Sequence, residues 1–416
     1  MHLLLQHMEV EVNTLVTFKK NCRCCKSADL SMVLDLRQQP LANSYSAKKT
    51  ELETFPLQLM ICKNCYHMQL SVVVAPDLLF KNYLYVSGTS KTLHDYFKLF
   101  SQFSINRYLA LNGEFPKNII DIACNDGSQL NKFKDDGLET FGVDPAQNLF
   151  SLSSVNHNVF CGYFQNFESN LNFDILVAQN VFAHVDDIDS FLEKAKSIMH
   201  EKSILMIQTS QSDMIKNNEF DTIYHEHLSF FNSYSMKVVL ERNGLELNNV
   251  YKMNIHGTSY LFEIGKNKKD GNFLDVLSDE IRNGYFIEDT YINYAKKSID
   301  CVNFLKEKLY DHKKNGYLIV GYGAAAKGNT LLNFGKIEMD FILDDNKLKH
   351  KMFTPGMNIQ IESPEKLNDI QEKQKICFVP LAWNFYDEIK SKIKLLRPNN
   401  KDRIIRFFPK MIEESL

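Results

Sequence analysis

The chain has 416 residues, 44% hydrophobic and 24% charged, with a formal net charge of -3 at pH 7. That length asks for two or three cores, and that balance excludes a disordered or fibrous chain. No basic field is present to hold nucleic acid, no apolar run reaches the roughly 18 to 20 residues of a membrane span, and the opening residues lack a secretion signal, so a cytoplasmic protein is expected.

Residues 1–86 are cysteine-rich, with the patterning of short strands. Cys22-Arg23-Cys24-Cys25 and Cys62-Lys63-Asn64-Cys65 hold two CxxC pairs, the spacing at which a tight turn aims two thiolates at one tetrahedral zinc. Cys22, Cys25, Cys62 and Cys65 would fill the metal's coordination, which suits a structural role. Apart from Cys24, the remaining cysteines are scattered singly, as in a reducing compartment. The long gap over 26–61 points to no named zinc fold, and Cys24 and His67 are substitute ligands. Buried free cysteines and a nucleic-acid ribbon are the alternatives, the second without the dense Lys and Arg it needs.

Residues 91–111 repeat apolar positions at helical spacing and predict a linking helix over 87–112. A domain follows over 113–268, where strands at 119–123, 140–143, 173–178 and 203–208 alternate with helices, which predicts a parallel sheet. Its first strand runs into Asp121, Ala123, Cys124, Asn125, Asp126 and Gly127, a small-residue turn that lets a ligand approach backbone at a helix start. Asp144 ends the second strand, where an acid can accept two ribose hydroxyls. The turn is not G-x-G-x-x-G, and Asp121 and Asp126 would repel phosphate while complementing a sulfonium. S-adenosylmethionine, which has no phosphate, is therefore the expected cofactor; an ordinary βα turn is the alternative.

Gln179, Asn180 and His184 follow the strand at 173–178. Farther on, Tyr224-His225-Glu226-His227 sets four proton-moving groups side by side, beyond the carboxyl ends of the strands where α/β folds build sites. An imidazole with a pKa near ~6.5 needs little tuning to act as a base. A surface hairpin or a His-x-His metal pair is the alternative, and the HExxH spacing is absent.

A charged helical connector covers 269–314, and a second α/β unit covers 315–416. Gly321-Tyr322-Gly323-Ala324-Ala325-Ala326-Lys327 reads as G-x-G-x-x-A, with Asp344 ending the next strand. Alone it is a dinucleotide fingerprint and supports a rival reading, an NAD-dependent oxidoreductase. Lys327 at the helix start suits the pyrophosphate of a sugar nucleotide equally, and a structural turn is the third possibility.

Taken in order, the CxxC pairs, Gln39-Pro40-Leu41-Ala42-Asn43, Cys124-Asn125-Asp126-Gly127, Tyr224-His225-Glu226-His227, His256-Gly257, the GYGAAAK turn, Thr354-Pro355-Gly356 and Leu381-Ala382-Trp383-Asn384 resemble the sugar C-methyltransferases of deoxysugar and antibiotic biosynthesis. The resemblance spans nearly the whole chain. It implies a small N-terminal zinc-binding domain, a class I S-adenosylmethionine methyltransferase domain with a Rossmann-like α/β sheet, and a C-terminal Rossmann-like domain. It also implies that His227 is the base, with Tyr224, Glu226 and His184 beside it and Tyr83 or Tyr85 as a further active-site tyrosine. Gly323, Lys327 and His256 are the implied substrate contacts. The expected reaction methylates a carbon beside the keto group of a nucleotide-linked sugar; O- or N-methylation stays open, as do the nucleotide, the carbon and the oligomeric state.

Overall fold

The computed structural model describes residues 15–80, 88, 91–209, 213–255, 257–269, 271–398 and 401–416. Tyr83, Tyr85 and His256 lie outside the described residues. The chain forms two compact units, each assembled from non-consecutive segments: Met1–Ser31, Met60–Ser212 and Glu226–Phe286 in the first, Met32–Leu59, Asp213–His225 and Ile287–Leu416 in the second. No described helix is long and apolar enough to cross a membrane.

The N-terminal strands are β1 (Val16–Phe18), β2 (Leu30–Pro40), β3 (Thr54–Cys62), β4 (Met68–Leu70) and β5 (Val72–Val74). The chain leaves the first unit within β2 and returns to it within β3. In the first unit β1 pairs with β5 antiparallel. The main sheet of this unit has seven strands: β6 (Asn118–Ile122), β7 (Glu139–Asp144), β8 (Asn158–Cys161), β9 (Phe173–Gln179), β10 (Met199–Thr209), β12 (Glu246–Met253) and β13 (Ser259–Gly265), while the short β11 (Ser229–Phe230) pairs antiparallel with β4.

Across the main sheet the order is β12-β13-β10-β9-β6-β7-β8. Strands β6 to β10 are mutually parallel, and β13 runs antiparallel to both neighbours. This is the class I methyltransferase sheet. Alternate residues of β6 feed separate cores: Ile120 and Ile122 pack on one face and Ile119 on the other. A strand buried on both sides needs apolar residues on both faces, which Ile119, Ile120 and Ile122 supply, while Asp121 breaks the run where the strand lines the cavity. Helix Lys91–Asn112 supplies Tyr96, Phe97 and Phe100 to the Ile119 core, so its apolar stripe closes one face of this sheet. The strand order reverses between β6 and β9, and the crevice beyond their carboxyl ends is where such sheets bind ligands.

The second unit holds a six-stranded sheet, β16-β15-β14-β17-β18-β19, built from β14 (Tyr317–Tyr322), β15 (Phe341–Leu343), β16 (Ile361–Glu362), β17 (Lys375–Pro380), β18 (Arg403–Arg406) and an antiparallel edge, β19 (Ile412–Ser415). Its parallel strands and reversal between β14 and β17 make it the Rossmann-like unit expected. Earlier parts of the chain complete it. Asn329 donates to the carbonyl of Ala42 at 2.7 Å, and Thr330 donates to that of Ile223 at 3.0 Å.

Candidate active site

Each CxxC pair is a turn closed by its own backbone. Lys26 N–H donates to Cys22 O at 3.0 Å and Tyr66 N–H to Cys62 O at 2.8 Å, with Lys26 and Tyr66 in the left-handed region at φ 65° and 54°. Those two matching knuckles turn Cys22, Cys25, Cys62 and Cys65 inward until their sulfurs all lie within 4.8 Å of one another. The pairs Cys22–Cys65 and Cys25–Cys62 stand at 3.5 Å. Thiolates at about 2.3 Å from a tetrahedral zinc lie roughly 3.8 Å apart, so this donor set fits the ion with little adjustment. Four protein ligands leave no open position, and the zinc is structural. Cys24 and His67 are buried outside the group.

At the carboxyl ends of the first unit's parallel strands lies a cavity of about 510 Å³, within the range of small-molecule sites. The turn after β6 forms one wall. Ala123, Asn125 and Gly127 all have positive φ, at 66°, 52° and 80°. A side chain on Gly127 would sit 3.2 Å from the Cα of Ser153, so conformation and helix packing both require glycine there. Asp144 fixes the turn: its Oδ2 accepts from Asn125 N–H and its Oδ1 from Ala146 N–H, each at 2.8 Å. Asp126 accepts from Ser128 N–H at 3.1 Å and from Gly88 N–H at 2.9 Å.

Charge decides what this cavity receives. Asp77, Asp121, Asp126, Asp144, Asp186 and Asp187 line it, and among the described residues no Lys or Arg does. Burial pushes the Asp121 carboxyl well above the usual range, and the nearby Asp144 and Asp126 push it further. Such a wall favours a cation and opposes a diphosphate. Gln129 Oε1, Asn180 Oδ1, His184 Nε2 and Gln208 Nε2 are buried without hydrogen-bond partners, and all four residues line the cavity. Native proteins rarely leave such atoms unmet, so they fit a polar ligand with both donors and acceptors. The residues present therefore suit S-adenosylmethionine.

His184 lines this cavity, and the ring of His227, which is not among the lining residues, stands 5.1 Å from the His184 ring, centroid to centroid. Phe80 stacks on His184 at 5.8 Å, and burial holds that imidazole down to about 4, hence neutral at pH 7. His227 and Glu226 are buried in the first unit. His225 instead packs edge-on against Phe55 in the second, and Tyr224, half-buried, belongs to that unit as well. The boundary between the units thus falls inside the run, between His225 and Glu226. Asp121, Ala123, Asn125, Asp126, Asp144, Gln179, Asn180 and His184 share the cavity, and Gly127 sits behind its wall. Sequence reasoning overlooked Tyr96, Gln129 and Gln208. Gln208 is the last residue but one of β10, and the rule that sites gather at strand carboxyl ends would have found it.

The second glycine turn is occupied by the protein itself. Gly323 has φ 86°, and a Cβ there would meet that of Ala382 at 2.7 Å; one on Gly321 would meet Ile342 and Met339 at 2.9 Å. Asp344 accepts from Ala324 N–H at 2.6 Å, while Tyr45 and Lys349 donate to Ala324 O at 2.6 and 2.7 Å. Lys327 lies 5.1 Å over the Trp383 ring and faces Asp221 and Glu219. Internal packing accounts for the G-x-G-x-x-A pattern, and the nicotinamide reading loses its support.

Three family models match in succession: a zinc binding domain over residues 22–80, a methyltransferase domain over 94–250 and a C-methyltransferase C-terminal domain over 254–409. The C-methyltransferase NovU of Streptomyces niveus is 27% identical over 391 residues, covering 88% of this chain and 90% of NovU. Among solved structures, the plantazolicin methyltransferase BpumL in complex with SAH is 14% identical, covering 42% of this chain and 86% of that one with a TM-score of 0.36. An S-adenosylmethionine-dependent methyltransferase from Clostridium acetobutylicum is also 14% identical, covering 42% and 97%, with a TM-score of 0.34. The three matched models follow one another along nearly the whole chain and, with NovU, support the likeness to sugar C-methyltransferases that its motifs carry; the protein is an S-adenosylmethionine-dependent methyltransferase with a structural zinc.

Proposed function

We propose that the acceptor is a nucleotide-linked keto-sugar, methylated at the carbon beside its carbonyl, with His227 as the base. The observation that carries this reading is the packing of His227 against His184, which lines an acidic cavity. A sugar C–H becomes acidic enough for an imidazole only next to a carbonyl, so a histidine base selects a keto-sugar over an ordinary one. Bound S-adenosylmethionine supplies an electrophilic methyl group on a sulfonium. Asp144 is the residue to hold its ribose, and Asp121 and Asp126 the residues to face its positive end.

His227 takes the proton from carbon onto a ring nitrogen. His184, kept neutral by burial, holds a donor for the oxygen that gains charge as the proton leaves. Tyr224 and Glu226 are proposed, on the resemblance, as partners in the same proton movement. Phe80, stacked on His184, and Leu79 give the cavity an apolar wall that excludes water.

The test is a panel of dTDP-, GDP- and CDP-linked 4-keto sugars with methyl-labelled cofactor, read by mass spectrometry and NMR. Label on a ring carbon is expected for at least one. In deuterated buffer with S-adenosylhomocysteine in place of the methyl donor, the protein should still exchange that carbon's hydrogen. His227→Ala should slow this exchange by about a hundredfold or more while S-adenosylhomocysteine still binds. Label on oxygen or nitrogen, or a variant that exchanges at the normal rate, refutes the assignment.

A further inference from the structure

We propose that Arg23, set between two zinc-ligating cysteines, is a positioning residue that holds His184 and His227 in register, an inference that rests on the role given to those histidines above. Arg23 is 2% exposed, and a buried guanidinium is costly unless its donors find acceptors; Nε and Nη1 find them, while the buried Nη2 has none. Its Nε–H donates to Asp186 Oδ1 at 3.1 Å, and Nη1 donates to the carbonyls of Leu70 at 3.1 Å and Leu228 at 3.2 Å. Asp186 stands two residues from His184, and Leu228 directly follows His227; both line the cavity. Leu228 N–H in turn donates to Ala183 O at 2.8 Å, the residue before His184. Leu228, the residue after His227, is thus tied through its N–H to the neighbour of His184 and through its C=O to Arg23.

The position of Arg23 is itself set by the metal turn. It follows Cys22, and its backbone N–H donates to Gln69 Oε1 at 2.8 Å. Gln69 belongs to β4, which leaves the second knuckle and pairs with β11 through Ser229↔Gln69 and Phe230↔Met68. Both knuckles therefore grip the segment just after His227. The zinc touches no cavity residue, and its contribution on this reading is alignment of the two imidazoles through the planar fork of one arginine. A lysine has three donors on one nitrogen, and that nitrogen cannot stand at both the Nε and the Nη1 positions that the arginine uses.

The experiment uses the full chain carrying Arg23→Lys, with Arg242→Lys as control, because Arg242 holds the other side of the same knuckle through Cys24 O and Asp189. Zinc content is measured by elemental analysis, S-adenosylhomocysteine affinity by calorimetry, and amide hydrogen exchange by mass spectrometry over peptides spanning 183–187 and 226–230. Arg23→Lys should keep its zinc and its affinity for S-adenosylhomocysteine, yet exchange the Leu228 amide about tenfold faster or more. Its kcat on a dTDP-linked 4-keto sugar should fall by about tenfold or more at unchanged KM, since misalignment costs the chemical step and not binding. Arg242→Lys should leave the Leu228 amide as it is. Unchanged exchange in Arg23→Lys, or equal acceleration in Arg242→Lys, overturns the proposal. If Arg23→Lys does not fold, Asp186→Asn removes the same ion pair and is judged by the same amide. A wild-type chain inactive on every keto-sugar would sink the substrate reading, while the exchange result would still decide the role of Arg23.

Discussion

Burial sets the charge of the histidines, and that has a consequence for stability. His225 is 1% exposed, and burial lowers its pKa to about 4; His184 is lowered to about 4 for the same reason. Both are neutral in the folded chain down to that pH, whereas an unfolded histidine takes up a proton near ~6.5. Below ~6.5 the unfolded state therefore binds protons that the native state refuses, so stability falls as pH drops toward about 4 and levels off beneath it. Between pH 7 and 5 each such group should cost about 2 kcal/mol. His225→Gln, whose side chain does not titrate, should lose less stability over that interval than the wild type by about this amount, as read from urea unfolding at each pH. Equal losses in the two proteins would show that His225 is not the group responsible. The His-Glu-His run itself was visible in the sequence. That its two imidazoles belong to different units was not, because a one-residue step along an irregular segment can reverse side-chain direction, and no periodicity records it.

At the scale of the element, the turn after β6 was legible because its constraints are local. Ala123 to Gly127 must bend sharply between a buried strand and a helix, and small residues mark such bends. Asp144 was legible too, from its place at the end of β7. Helix Lys91–Asn112 showed its apolar stripe but not what covers it, since a stripe of that spacing serves a bridge between domains or a wall of one sheet equally well. In the second unit the same turn grammar misled toward a dinucleotide, because a glycine demanded by Ala382 looks identical in sequence to one demanded by a pyrophosphate. Two of the first unit's glycines at positive φ separate strain from site. Gly127→Ala and Gly137→Ala both force alanine into the left-handed region, at φ 80° and 94°, for a cost of about 1 kcal/mol or more each. A Cβ at Gly137 meets nothing within 4 Å, whereas at Gly127 it presses on Ser153 and His157 behind the cavity wall. Both variants should melt a few degrees lower, and only Gly127→Ala should also weaken S-adenosylhomocysteine binding in calorimetry. Equal affinities would mean that this turn does not hold the cofactor.

At the scale of the molecule, the second unit is not a segment that could be cut at one point in the chain. Its sheet lies wholly within 317–415, but residues from 32–59 and 213–225 supply partners to buried groups of that sheet's helices. Trp383, the chain's single tryptophan, is 6% exposed and donates from Nε1 to Asp221 Oδ2 at 2.8 Å. Burial raises that Asp221 carboxyl to about 7, Lys327 opposes the rise, and Tyr294 packs into the same cluster. Residues 287–416 expressed alone would keep β14 to β19 and lose Asp221, Ala42 and Ile223 together, leaving the indole N–H and the side chains of Asn329 and Thr330 without their acceptors. Each lost partner for a buried group costs about 1–3 kcal/mol, a large part of what a domain of this size has in hand. The fragment should therefore emit tryptophan fluorescence at longer wavelength than the intact chain, because water reaches the indole, and should unfold at lower denaturant. Asp221→Asn in the full chain should shift the emission less, since an amide oxygen still accepts from Nε1 while the covering segment stays in place. A fragment with the emission maximum and unfolding midpoint of the whole protein would show that the C-terminal sheet is a self-sufficient domain and that the earlier segments merely lie against it.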